Sequence, residues 1–164
     1  MTTKGSKDVA EGKRLHLLVA ISYDKGVIMA EPYDKMNSEF SSSFIRRHFP
    51  NLFEVAGKGD SERKIFLMDN DPSQMSAKAR AVFAELGYTM QKIPPRSPDL
   101  NPIENVFHLV RKRLQREARE KNITNQSWDV FKQSVQYHIW SMSKEVIDKT
   151  IDMIIIFGIY TRCQ

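Results

Sequence analysis

The stretch Lys64-Ile-Phe-Leu-Met-Asp69-Asn-Asp71-Pro72 decides the fold. Four consecutive apolar residues are strand length, and an uninterrupted apolar strand predicts burial on both faces of a sheet. Asp71 before Pro72 matches a helix N-cap with proline at the first helical position. A helix is therefore expected over about 72–86, with Met75, Ala79, Val82, Phe83 and Leu86 on one face and Gly87 as its stop. Residues 88–93 return as a strand, so 64–93 reads as a βαβ unit and the chain as an α/β domain.

Upstream, Leu15-His-Leu-Leu-Val-Ala-Ile-Ser22 and residues 27–33 are two strand-length segments around the turn Tyr23-Asp-Lys-Gly26, which predicts a β-hairpin. Phe40, Phe44, Ile45 and Phe49 then recur at helical spacing, with Asn37 or Ser38 as N-cap and Pro50 as the expected stop. Residues 55–63 read as an exposed loop. Downstream, Pro94-Pro-Arg-Ser-Pro98 is a stiff extended linker. Helical patterns follow over 102–121 and 127–151, the second with Trp128, Phe131, Val135, Ile139 and Trp140 as expected core. The organisation expected is a flexible polar arm over 1–14, one domain over 15–152 and an atypical apolar tail over 153–164.

The 164 residues carry 25 Lys and Arg against 20 Asp and Glu, a formal charge of +5. One cysteine, Cys163, excludes an internal disulfide framework and a Cys-rich zinc site. The N-terminal residues lack a signal-peptide pattern, and the longest apolar run, 153–160, is too short to span a bilayer, so a soluble intracellular protein is expected.

Two acidic sites fall where an α/β fold presents side chains to ligands. Asp69 ends the apolar strand, and ligands of open α/β sheets sit beyond strand C-termini. A buried carboxylate there needs a cation or donors, whereas Asp71 reads as a structural cap. The second site is Asp99-Leu-Asn-Pro-Ile-Glu104, where Asn101, Pro102 and Glu104 also fit a capping box. Helix caps and metal ligands are thus both open readings. Two carboxylates at a strand end and a helix start can converge on Mg²⁺ or Mn²⁺, ions that prefer oxygen donors.

The following helix adds a basic face. Between Val106 and Lys121 stand six cationic residues against Glu117 and Glu120, close to the excess of the whole chain. Glu104, His108, Arg111 and Gln115 share one helical face, extended by Lys112 and Arg119. A carboxylate pair beside such a stripe suits a phosphodiester. His16 alternates within a strand and reads as a packed or surface residue, and His48 and His138 have no acidic or cysteine partner at ligand spacing.

With Met68-Asp-Asn-Asp-Pro-Ser and Pro94-Pro-Arg-Ser-Pro-Asp-Leu-Asn-Pro-Ile-Glu-Asn105, the chain resembles the catalytic core of Tc/mariner transposases of the DDE superfamily. Thirty-four residues separate Asp69 from Glu104, the spacing of that family's second and third metal carboxylates. The resemblance implies a ribonuclease H-like fold, a mixed sheet with flanking helices. It implies Asp69 and Glu104 as catalytic metal ligands for Mg²⁺ or Mn²⁺. His108, Arg111, Lys112, Gln115 and Arg119 would then lie on DNA, and the protein would work in the nucleus. The family's first Asp precedes the hairpin. Asp8 lies in the polar arm and Asp24 in the turn, so a domain lacking its first strand, with impaired cleavage, is expected. Gln74 and Phe107 stand where the family often has His and Trp. Three readings follow: a metal-dependent DNA nuclease and strand transferase; an inactive fragment binding DNA, full-length transposase or itself; and an α/β domain whose acidic motifs only cap helices.

Overall fold

The computed structural model describes residues 13–56, 65–68, 76–94, 97 and 100–151. The chain opens with the expected antiparallel hairpin, β1 (His16–Ser22) and β2 (Gly26–Tyr33). Asp24 and Gly26 take φ of 59° and 77° in its turn, a conformation glycine adopts without a Cβ clash. Ala20 pairs with Met29 but Ile21 with Val27, so Ile28 is an extra residue in β2. This bulge puts Ile28 and Met29 together against one core while Val27 and Ala30 join the other.

Helix α1 (Ser38–Ala56) is capped by Asn37, whose Oδ1 accepts from the Phe40 N–H at 2.8 Å. It passes through Pro50, contrary to the expected stop. Proline removes one backbone bond, but Leu52 and Phe53 beyond it pack into the core and hold the extra turn in place.

Strands β3 (Ile65–Met68) and β4 (Thr89–Lys92) pair in parallel and are joined by α2 (Ala77–Glu85), which is the expected βαβ unit. The helix begins later than its sequence suggested. Ser76 is its N-cap, with an extended backbone and a side chain accepting from the Ala79 N–H at 3.2 Å. The start expected at Pro72 and the cap expected at Asp71 lie outside the described residues. Burial of β3 on both faces also fails: Leu67 is 41% exposed. Among the described residues no ladder joins β3 to the hairpin, and no helix packs closely over the Leu67 face.

Both sheets share one helical layer. Ala20 and Met29 of the hairpin join Ile45, Phe49 and Leu52 of α1 and Ala79, Val82 and Phe83 of α2, with Phe66 and Met90 packed alongside. Phe49 forms the centre of this core, its ring 4.5 Å from Phe66 and 5.3 Å from Phe83.

The other face of the hairpin is covered by α3 (Pro102–Glu120), α4 (Trp128–Trp140) and a helix α5 over 144–151. Val106, Val110, Val135, Ile139, Met142 and Ile147 bury here against Ala30. The helical region expected over 127–151 is two helices. Ser141 caps the end of α4, Met142 turns into the core, and the Ser143 carbonyl accepts the first amides of α5. Trp140, expected in the core, is on the surface, because the bury-facing positions of α4 are taken by Val135 and Ile139. The loop expected at 55–63 begins within α1, and its remainder, 57–63, lies outside the described residues, as do the tail over 153–164 and most of the arm. No helix among the described residues is long and apolar enough to cross a membrane.

Candidate metal and nucleic-acid site

Of the acidic residues singled out above, Asp69, Asp71 and Asp99 lie outside the described residues. Glu104 lies in the first turn of α3. Asn101, 7% exposed, caps the helix through its Oδ1, which accepts from the Ile103 N–H at 3.3 Å, and Pro102 holds the first helical position. The reciprocal half of a capping box would have the Glu104 carboxylate accept from the Asn101 N–H. That bond is not formed: Glu104 has no side-chain partner among the described residues. A half-buried carboxylate that neither caps its helix nor pairs with any cation among the described residues fits an oxygen donor for a hard divalent ion. Among the described residues no three His, Cys, Asp or Glu side chains gather around one point, and Asp69, the expected second donor, is not among those residues.

The face of α3 beyond Glu104 is open to solvent. His108, Arg111, Lys112, Gln115 and Arg119 are all exposed, and the three cations have no acidic partner among the described residues. One reason is where the nearby acid points. Glu117 turns inward to α4, accepting from Ser134 Oγ at 2.6 Å, lying 2.8 Å from His138 Nε2 and pairing with Lys121 at 2.6 Å. The Lys121 ammonium, then Ser134 and His138, lower the Glu117 pKa to about 2. Arg113 likewise serves the fold, donating to the His138 carbonyl at 3.5 Å and to Ser141 Oγ at 3.3 Å.

His138 meets an acidic partner that no ligand spacing marks in the sequence, because Glu117 comes from a helix 21 residues earlier in the chain. Only the Glu117–Lys121 pair, one helical turn apart, was open to detection from spacing. His16 is exposed beside Tyr33, and His48 stacks on Phe44 at 4.4 Å.

Asp24 is committed elsewhere. Its carboxylate meets Lys144 of α5 at 2.9 Å, and its backbone N–H donates to Asp148 Oδ1 at 2.8 Å. Lys144, by hydrogen bond and by charge, holds the Asp24 carboxyl below the ordinary carboxylate range. The turn is thus pinned to α5, far along the chain from Glu104.

A sequence profile described as DDE superfamily endonuclease matches residues 2–127. No curated protein sequence matches the chain significantly. Among solved structures, the catalytic domain of Mos1 mariner transposase superposes with a TM-score of 0.56 at 18% identity, over 85% of this chain and 74% of that one. A Mos1 transposase paired-end complex with the left transposon end gives 0.58 at 20% identity, over 94% of this chain and 44% of that one. The Mos1 catalytic domain with raltegravir and Mg gives 0.54 at 20% identity, over 79% and 65%. These likenesses establish the ribonuclease H-like fold. The chain spans under half the length of the transposase in the paired-end complex.

Proposed function

Because the chain belongs to the DDE superfamily endonucleases, we propose that it acts as the catalytic region of a DNA transposase, binding DNA and Mg²⁺ or Mn²⁺ in the nucleus. The observation that carries this reading is a Glu104 carboxylate with no partner among the described residues, at the head of a helix whose exposed face bears Arg111, Lys112 and Arg119, likewise without acidic partners among the described residues. Glu104 and Asp69 are the proposed metal-holding residues, and a divalent ion there supplies charge stabilisation to the oxygens of a phosphodiester. The α3 cations hold flanking phosphates, with His108 and Gln115 beside them on the same face. Solved Mos1 complexes with transposon DNA, and with Mn, are in keeping with both partners.

Cleavage by the chain alone is proposed to be impaired. Asp24, set aside as a first carboxylate because it lies in the hairpin turn, is engaged there by Lys144. A second reading, a catalytically inactive fragment that binds DNA, full-length transposase or another copy, rests on the same observation. Two assays on the full chain separate the readings. DNA affinity should fall steeply with salt, and Arg111→Ala with Arg119→Ala should reduce the slope of log K against log salt by about 2. Nicking of supercoiled DNA in Mn²⁺ should be absent or weak. Efficient nicking lost in Asp69→Ala would refute the impairment, and salt-independent or absent DNA binding would refute the DNA reading altogether.

A further inference from the structure

Of the four histidines, three are engaged within the fold. His16 lies against Tyr33, His48 stacks on Phe44 and His138 meets Glu117. His108 is exposed and has no hydrogen bond, ion pair or ring contact among the described residues. It stands four residues after Glu104, the half-buried carboxylate that likewise lacks a partner among those residues. On an α-helix that spacing puts two side chains on one face, with Cβ atoms about 5–6 Å apart. The backbone beneath both is held in place. Val106 and Val110 are buried on the far side of α3, and Asn101 caps the turn that carries Glu104.

We propose that Glu104 and His108 together clasp the divalent ion, His108 supplying an imidazole nitrogen beside the carboxylate oxygen. The inference rests on the metal-binding reading of Glu104 and adds to it a preference among ions. Two ligating side chains one turn apart on a single helix need only side-chain rotation to meet on one metal. Donor chemistry then selects that metal. Mg²⁺ is small and hard, holds its water and prefers oxygen donors, so a nitrogen adds little to its binding. Imidazole suits later first-row ions, whose affinity for such sites rises from Mn²⁺ to Co²⁺. Holding a phosphate is a poorer use of this position. A neutral imidazole offers one N–H, whereas Arg111 and Lys112, three and four residues further along, carry permanent charge and several donors each. The face of α3 is thus divided, with the ion at its head and the phosphate-holding cations beyond.

Calorimetric titration of the full chain with Mg²⁺ and with Co²⁺ tests the clasp without reference to cleavage. His108→Ala places a strong helix former at an exposed helical position, so the variant folds. It should weaken Co²⁺ binding at least about tenfold, since even residues that only orient a metal ligand are worth roughly 10–100-fold. Mg²⁺ affinity should stay within about twofold of wild type. With Mn²⁺ bound, the electron spin echo of the wild-type chain should carry a nitrogen modulation that disappears in His108→Ala. Equal Co²⁺ affinity in the two chains, or a nitrogen modulation that survives the substitution, overturns the proposal. Glu104→Gln separates this inference from the reading beneath it and should weaken both ions. If it does so while His108→Ala weakens neither, the clasp alone fails. If Glu104→Gln also weakens neither ion, the metal reading of Glu104 fails with it.

Discussion

Replacing Glu117 by glutamine keeps the shape of the α3–α4 junction but removes the charge that three donors share. In the folded chain Lys121, Ser134 and His138 bring this carboxyl from 4.5 to about 2. A depressed carboxyl stabilises the fold above its unfolded pKa, and the stabilisation is lost as pH falls through the folded value. The thermodynamic ceiling for that difference is roughly 3 kcal/mol. Lys121, the largest contributor, is 65% exposed, so water screens much of its share. Glu117 itself is 21% exposed, and its bonds to Ser134 and His138 are better sheltered. The expected cost of Glu117→Gln at pH 7 is therefore about 1–2 kcal/mol. Urea unfolding of both chains between pH 7 and pH 3 provides the assay. Wild type should hold a constant advantage above about pH 4.5 and lose it progressively towards about pH 2, while the variant lacks that component. Stability curves that run parallel across the whole range would show that Glu117 is not held as described.

Two further outcomes test the local geometry. Gly26→Ala should cost about 1 kcal/mol, because φ is +77° while a new Cβ would meet Lys144 only at an ordinary 3.5 Å; the midpoint of thermal unfolding reports it. Asn101→Ala should cost about 1 kcal/mol by removing the α3 cap, and Asn101→Asp should restore most of it; equal loss in both variants would place the effect outside capping.

Much of the architecture was written in local patterns. The hairpin turn, the βαβ unit and the Asn101-Pro102 start of α3 follow from turn chemistry, strand-length apolar runs and capping preferences acting over a few residues. The misreadings came where a distant contact overruled a local preference. Pro50 should end α1, yet Leu52 and Phe53 gain enough burial to carry the helix past it. Leu67 looks like a doubly buried strand residue, but burial depends on which elements lie beside β3, and an apolar run cannot say that. Trp140 looks like core because its hydrophobicity does not reveal which side of α4 it occupies relative to Val135 and Ile139. Within the site, residue type and spacing marked Glu104 and the basic face. That Glu104 forgoes the capping bond, and that Glu117 turns away to His138, became visible only with α3 and α4 in place.

The pinning of the hairpin turn by α5 bears on how the protein is born. Asp24 meets Asp148 and Lys144 across 124 and 120 residues of chain, and Ala30 receives a bond from Gln136 across 106. A ribosome adding 5–20 residues per second leaves that hairpin face without its helices for roughly 6–25 s. During synthesis the α1–α2 side can close on the hairpin well before the other side can. The nascent chain therefore presents a half-covered sheet, and a stall or cut before α3 leaves Leu17, Val19, Ile21 and Ala30 as a sticky surface for chaperones.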